Sequence, residues 1–124
     1  MIDRDHVAGE PLPAISDEAM RERIGSTRPY TAMVLRETAA FKRPEVDSIV
    51  WEHGRRMIAL AEHGVLALLL PDDDDPTDWS GMGVFAASAD EVRAIMDRDP
   101  GVEAGIFTYE LHPVRGRPGS GLPA

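Results

Sequence analysis

The hexapeptide Val65-Leu66-Ala67-Leu68-Leu69-Leu70 carries no polar side chain. Successive side chains of a strand point to opposite faces, so a strand of this sequence is apolar on both faces. It is far too short to cross a bilayer, which takes about 20 residues. A strand of this kind is at home in a sheet covered on both sides, and the reading of the fold reduces to what supplies each cover.

The flanking sequence supplies one of them. Val46, Ile49, Val50, Met57, Leu60 and Ala61 recur at helical spacing up to Gly64, and Pro44 suits the first turn. This is an amphipathic helix that leaves Arg55 and Arg56 outside. Before it, Tyr30-Thr31-Ala32-Met33-Val34-Leu35 is rich in strand formers. After the hexapeptide, Asp72 to Trp79 is a polar loop and Gly81 to Ala87 a third strand. Ser88-Ala89-Asp90-Glu91 has the form of a capping box. The helix it opens carries Val92, Ile95 and Met96 and ends near Asp99-Pro100-Gly101. Val102 to Val114 alternates as a fourth, long strand. The order is β-α-β-β-α-β, which predicts an α+β fold: a ferredoxin-like sandwich with an antiparallel sheet and both helices on one face. The second face then needs a second sheet, so the expected assembly is a homodimer joined through the open sheet face, a dimeric α+β barrel.

Proline and glycine mark the boundaries. Six of the ten prolines lie in residues 1–29 and 113–124, which predicts an extended N-terminal arm over 1–29 and a flexible C-terminal tail over 115–124 around a core domain at 30–114. Within the arm, Ser16 to Ile24 suits a short helix with Ser16 as N-cap and Gly25 as stop. The 124 residues hold 22 acidic against 13 basic side chains, a net charge of −9, and no cysteine. That balance opposes binding to nucleic acid or to an anionic membrane surface. Without cysteine there is no disulfide scaffold and no thiolate nucleophile. Met1 to His6 shows no basic region leading into an apolar one, so no secretory signal is expected and the predicted location is cytoplasmic. The charge is uneven: residues 72–99 carry nine acidic residues against two arginines. An anionic substrate would therefore enter elsewhere, near Arg36 or Arg55.

Three segments are similar to a known family. Trp51-Glu52-His53-Gly54-Arg55 leads through a helix to Glu62-His63-Gly64. Asp97-Arg98-Asp99-Pro100-Gly101-Val102-Glu103-Ala104-Gly105 follows the second helix, and Phe107 to Val114 closes the domain. Together, over about residues 30–114, these resemble the YCII-related family. The resemblance implies a dimeric α+β barrel and a histidine and an aspartate suspected of catalysis. Some relatives are lactone-isomerising or dehalogenating enzymes. The long arm and the aspartate run at Asp72–Asp75 depart from the common pattern of that family.

His53 lies seven residues after Val46 and four before Met57, on the core side of its helix. An imidazole there serves either as an acid/base group, since its unperturbed pKa lies near neutrality, or as a buried histidine satisfied by a carbonyl. Asp99 either orients that imidazole or caps its own Asp-Pro-Gly turn, and the two roles are compatible. Asp97 points elsewhere on its helix. Tyr109 shares a strand face with Phe107 and Leu111, while Glu110 and His112 share the other. Glu110 needs a partner there, and Arg36 suits it; alternatively the two line a pocket for an anionic ligand. The run Asp72–Asp75 lacks the alternating spacing of an EF-hand and reads as a solvated loop. His53 and His63 do not share a helix face. No metal and no cofactor is expected. Trp51 and Trp79 are expected to pack. The reading is a small cofactor-free acid/base enzyme for a small organic acid or lactone-like compound, with His53 and Asp99 catalytic and Arg36 and Glu110 binding substrate. The alternative is a non-catalytic ligand-binding or interaction homodimer.

Overall fold

In the computed structural model, which describes residues 4–123, ten elements follow one another. They are β1 (His6–Val7), β2 (Glu10–Pro11), α1 (Asp17–Gly25), β3 (Arg28–Glu37), α2 (Asp47–His63), β4 (Leu66–Pro71), β5 (Trp79–Phe85), α3 (Ala89–Met96), α4 (Pro100–Glu103) and β6 (Phe107–Gly116). Residues 1–3, which open the stretch read for a secretory signal, and Ala124 lie outside the described residues. No helix among the described residues is long and apolar enough to cross a membrane.

From β3 to β6 the order is β-α-β-β-α-β with one added helical turn. The four strands form one sheet in the order β4-β5-β3-β6, and every neighbouring pair is antiparallel. The chain is therefore an α+β, ferredoxin-like sandwich. Met33 and Leu35 of β3, Leu66 of β4, Phe85 of β5 and Phe107 of β6 bury their side chains against Met57 of α2 and Val92 and Met96 of α3. These few large apolar groups supply most of the burial that holds the layers together.

Local chemistry explains the boundaries. Gly64 ends α2 in the left-handed conformation, at φ 99°, and its N–H reaches the Leu60 and Ala61 carbonyls; that conformation is the reason a glycine stands there. Ser88 caps α3 by accepting from the Glu91 N–H, and its hydroxyl donates to the Glu91 carboxylate. Ser16 caps α1 in the same manner through the Ala19 N–H. α1 buries none of its own residues.

The structure differs from the sequence reading at several places. α2 starts at Asp47 rather than at Pro44. Pro44 lies in a turn closed by the Asp47 N–H, after a cis Arg43–Pro44 bond, and the Val46 side chain is buried in the core instead of capping. α3 ends at Met96, and the last strand starts at Phe107 rather than at Val102. Asp99 caps a separate turn, α4, and Pro100 at its first position favours the helical φ. β3 begins at Arg28 rather than at Tyr30 and β6 runs to Gly116 rather than to Val114, with Arg115 bonded to the Thr27 hydroxyl and carbonyl. Trp51 is 69% exposed and does not pack.

One side-chain contact ties α3 to the sheet. The Tyr109 hydroxyl on β6 donates to the Asp97 carboxylate. Burial, then the Asp97 hydrogen bond and charge, push the phenol up to about 12, while Arg93 opposes them. A phenol whose pKa is raised on folding favours the native state below its unfolded value of about 10, and the advantage fades as pH rises through about 12. Absorbance titration of the phenolate is expected to show a component near pH 12 that Tyr109→Phe lacks and that Asp97→Asn moves to lower pH. A wild-type titration without that component would contradict the contact.

Candidate active site

His53 stands on the inner side of α2, between Val50 and Met57, and its side chain is 13% exposed. Its ring packs on Phe107 with centroids 4.8 Å apart, and Phe107 in turn meets Phe41 at 5.6 Å. Asp99 arrives from the N-cap of α4 and is fully buried. The structure brings the two together: His53 Nδ1 lies 2.8 Å from Asp99 Oδ1 and 2.9 Å from Oδ2. A carboxylate only accepts, so Nδ1 carries the hydrogen in this pair, and in the neutral imidazole Nε2 is then the nitrogen with the lone pair.

Asp99 also caps its own turn, because Oδ2 accepts from the Gly101 N–H at 2.9 Å and the Val102 N–H at 3.2 Å. Both geometries weighed for this residue coexist on one carboxylate. The sequence reading missed a third neighbour. Arg56, expected outside, brings Nη1 to 3.9 Å from Asp99 Oδ1, where that nitrogen is buried without a hydrogen bond. Its position three residues after His53 was the available signal.

His53 opens on a cleft of about 590 Å³ between α2 and the sheet. Met33, Leu35, Met57, Leu69 and Phe107 make an apolar floor. The mouth is acidic: Glu37, Asp72, Asp74 and Asp75 line it together with Arg43. That arginine is already engaged, donating to Asp47 at 2.6 Å and lying over the Phe41 ring. Asp75 is fastened by the Thr77 N–H at 2.8 Å and the Thr77 hydroxyl, which hold its carboxyl below the usual range. The aspartate run thus folds into turns that edge the cleft. Among the described residues no group of three or more histidine or acidic side chains is placed to hold a metal ion.

Arg36 and Glu110 are paired at 2.9 Å, side by side on β3 and β6. Arg36 also reaches Asp78 at 3.2 Å, and Glu110 bonds His112 at 3.0 Å. The Arg36 and His112 hydrogen bonds hold the Glu110 carboxyl below its ordinary range. These residues lie on the sheet face opposite Tyr109 and Phe107, away from the helices, and neither Arg36 nor Glu110 lines the cleft.

The chain matches no family model and no curated protein. Among solved structures it is similar to 5-chloro-2-hydroxyhydroquinone dehydrochlorinase (TftG) from Burkholderia phenoliruptrix AC1100, in complex with 2,5-dihydroxybenzoquinone. The TM-score is 0.46 and the identity 17%, over 74% of this chain and 95% of that one.

The turn that holds Asp99 leaves no spare room. A Cβ on Gly101 would stand 2.3 Å from Phe107 Cδ2 and 3.1 Å from Asp99 Oδ2. Gly101→Ala must therefore displace the ring that supports His53, and a loss of about 1–3 kcal/mol is expected in urea unfolding. Unchanged stability would contradict this packing.

Proposed function

We propose that the chain is a small acid/base enzyme in which His53 Nε2 moves a proton on a substrate held between α2 and the sheet. The observation that carries this reading is the pairing of His53 Nδ1 with the buried Asp99 carboxylate at the wall of the cleft. Asp99 fixes the tautomer and ring orientation and balances the imidazolium formed during transfer. The apolar floor suits a compact ring or short chain. The acidic mouth, whose one arginine is engaged with Asp47, favours a neutral lactone-like or hydroxylated compound over the organic acid also expected from sequence. Membership of the YCII-related family is part of the proposal and rests on the segments around His53 and Asp99.

A neutral lactone such as phthalide and its ring-opened carboxylate are suitable probes. Thermal shift is expected to show stabilisation by the lactone and none by the acid, and His53→Ala is expected to retain lactone binding. Once a converted substrate is found, His53→Ala should lower kcat by on the order of 10²-fold or more. Asp99→Asn, whose amide oxygen can still cap α4, should lower kcat with little change in KM. Binding without turnover in the wild type would leave the ligand-binding homodimer as the better description.

The homodimer is proposed on the sheet face turned from the helices. Leu68, Leu70, Met82, Val84 and Val34 share that face and are only half-buried in the single chain. Two such sheets packed face to face complete a barrel, with Arg36, Glu110 and His112 at its rim and Arg36 and Glu110 placed there to contact any ligand that enters from that side. Sedimentation equilibrium at micromolar concentration is expected to give twice the chain mass, and Val84→Lys to give a folded monomer. A monomeric wild type would refute the assembly.

A further inference from the structure

Glu37 is the last residue of β3. Met33 and Leu35 of that strand point toward the helices, and alternation carries Glu37 to the same side, where it lines the cleft that His53 opens on. Its main chain is fixed: its N–H donates to the Asp78 carbonyl at 2.7 Å, and it stands in register with Phe107. Among the described residues no hydrogen bond or ion pair reaches its carboxylate. The nearby arginine, Arg43, is bonded to Asp47 instead. A half-buried carboxyl without a structural partner opposes folding, so the position calls for another reason.

The groups around it are Arg43 from the turn before α2, Asp72 from the loop after β4 and Asp78 from the turn before β5. His53 faces the same cavity from α2, with Asp74 and Asp75 on the rim. Burial first, then the charges of Asp72 and Asp78, push the Glu37 carboxyl above its ordinary value, against the pull of Arg43. Glu37 therefore keeps its proton to higher pH than an exposed glutamate does.

We propose that Glu37 is a second proton-transfer residue of this cleft, the acid that serves an oxygen of the substrate while His53 serves a neighbouring C–H. The inference rests on the acid/base reading of His53. Two titratable groups of different character, held on different elements around one cavity, are the arrangement that divides acid and base roles. On an enolisable carbonyl compound, His53 Nε2 takes the proton next to the carbonyl. The electron pair of that C–H bond becomes the carbon–carbon double bond, and the carbonyl pair moves to oxygen, which takes the Glu37 proton. The reverse transfer, to the same carbon or to the far carbon of the enol system, restores neutral His53 and protonated Glu37. No co-reactant is consumed. The substrate class is a neutral, enolisable carbonyl compound with a compact apolar body.

The probe is 2-indanone with the full chain in D2O. Deuterium uptake beside the carbonyl is followed by proton NMR, and occupancy by the methyl-13C signals of the cleft methionines Met33 and Met57. Those methyls are expected to move on addition of the probe, and the wild type to accelerate exchange with a rate that rises and then falls with pH. Glu37→Gln should keep the binding, slow exchange by about 10- to 100-fold and lose the alkaline fall. Glu37→Asp should retain the fall with a reduced rate. A folded Glu37→Gln with the wild-type rate and pH profile would overturn the role of Glu37 and leave His53 standing. An unchanged rate in His53→Ala would instead remove the base on which the inference rests. Unmoved methionine methyls, or binding without exchange in the wild type, would overturn the proposed substrate class and chemistry together.

Discussion

A buried carboxylate must find partners for both of its oxygens, and the way Asp99 does so governs the geometry around it. Its Oδ2 gathers the first N–H groups of α4, and both oxygens lie within reach of His53 Nδ1. Because the cap starts α4 at Pro100, the turn is complete by Glu103 and β6 begins at Phe107. That start sets the register in which Phe107 pairs with Glu37 of β3 and lays its ring against His53. One side chain thus joins a helix start, a strand register and the orientation of an imidazole. Arg56 adds positive charge at 3.9 Å through a buried Nη1 that has no hydrogen-bond partner.

The net charge of −9 acquires a location from the fold. The aspartate run returns through short turns so that Asp72, Asp74 and Asp75 edge the same cleft that holds Glu37 and His53. Field lines focus in a cleft with low-dielectric walls, so this rim acts on any ligand that approaches the imidazole. The other sheet face carries its own compensated set, Arg36 with Asp78 and Glu110, and Glu110 with His112. The two faces of β3 therefore present different electrostatics: unpaired acid toward the helices, paired charge away from them.

Much of this was legible in the chain. Periodicity and caps locate α2 and α3, and the β-α-β-β-α-β order predicts the antiparallel, ferredoxin-like sheet that the four strands form. Alternation placed Tyr109 and Glu110 on opposite faces of β6. The places that escaped share one cause. Pro44 and Val102 were assigned by local preference, yet Val46 is drawn into the core and Asp99 recruits Val102 into a turn. Helical spacing puts Arg56 outside, yet its Nη1 is buried beside Asp99, and Glu37 at a strand end carries no local signal.

By itself the sequence determined the two long helices, the four main strands in their β-α-β-β-α-β order and the sidedness of the last strand, because hydrophobic spacing, caps and chain breakers act over a few residues and depend on local geometry. Only the tertiary structure decided which polar side chains meet. His53 and Asp99 are 46 positions apart and Arg36 and Glu110 are 74 apart, and separations of that kind are closed by strand pairing and helix packing rather than by any periodicity. The cleft has the same origin: its floor comes from β3, α2, β4 and β6, its mouth from two loops, and it exists only where those elements pack.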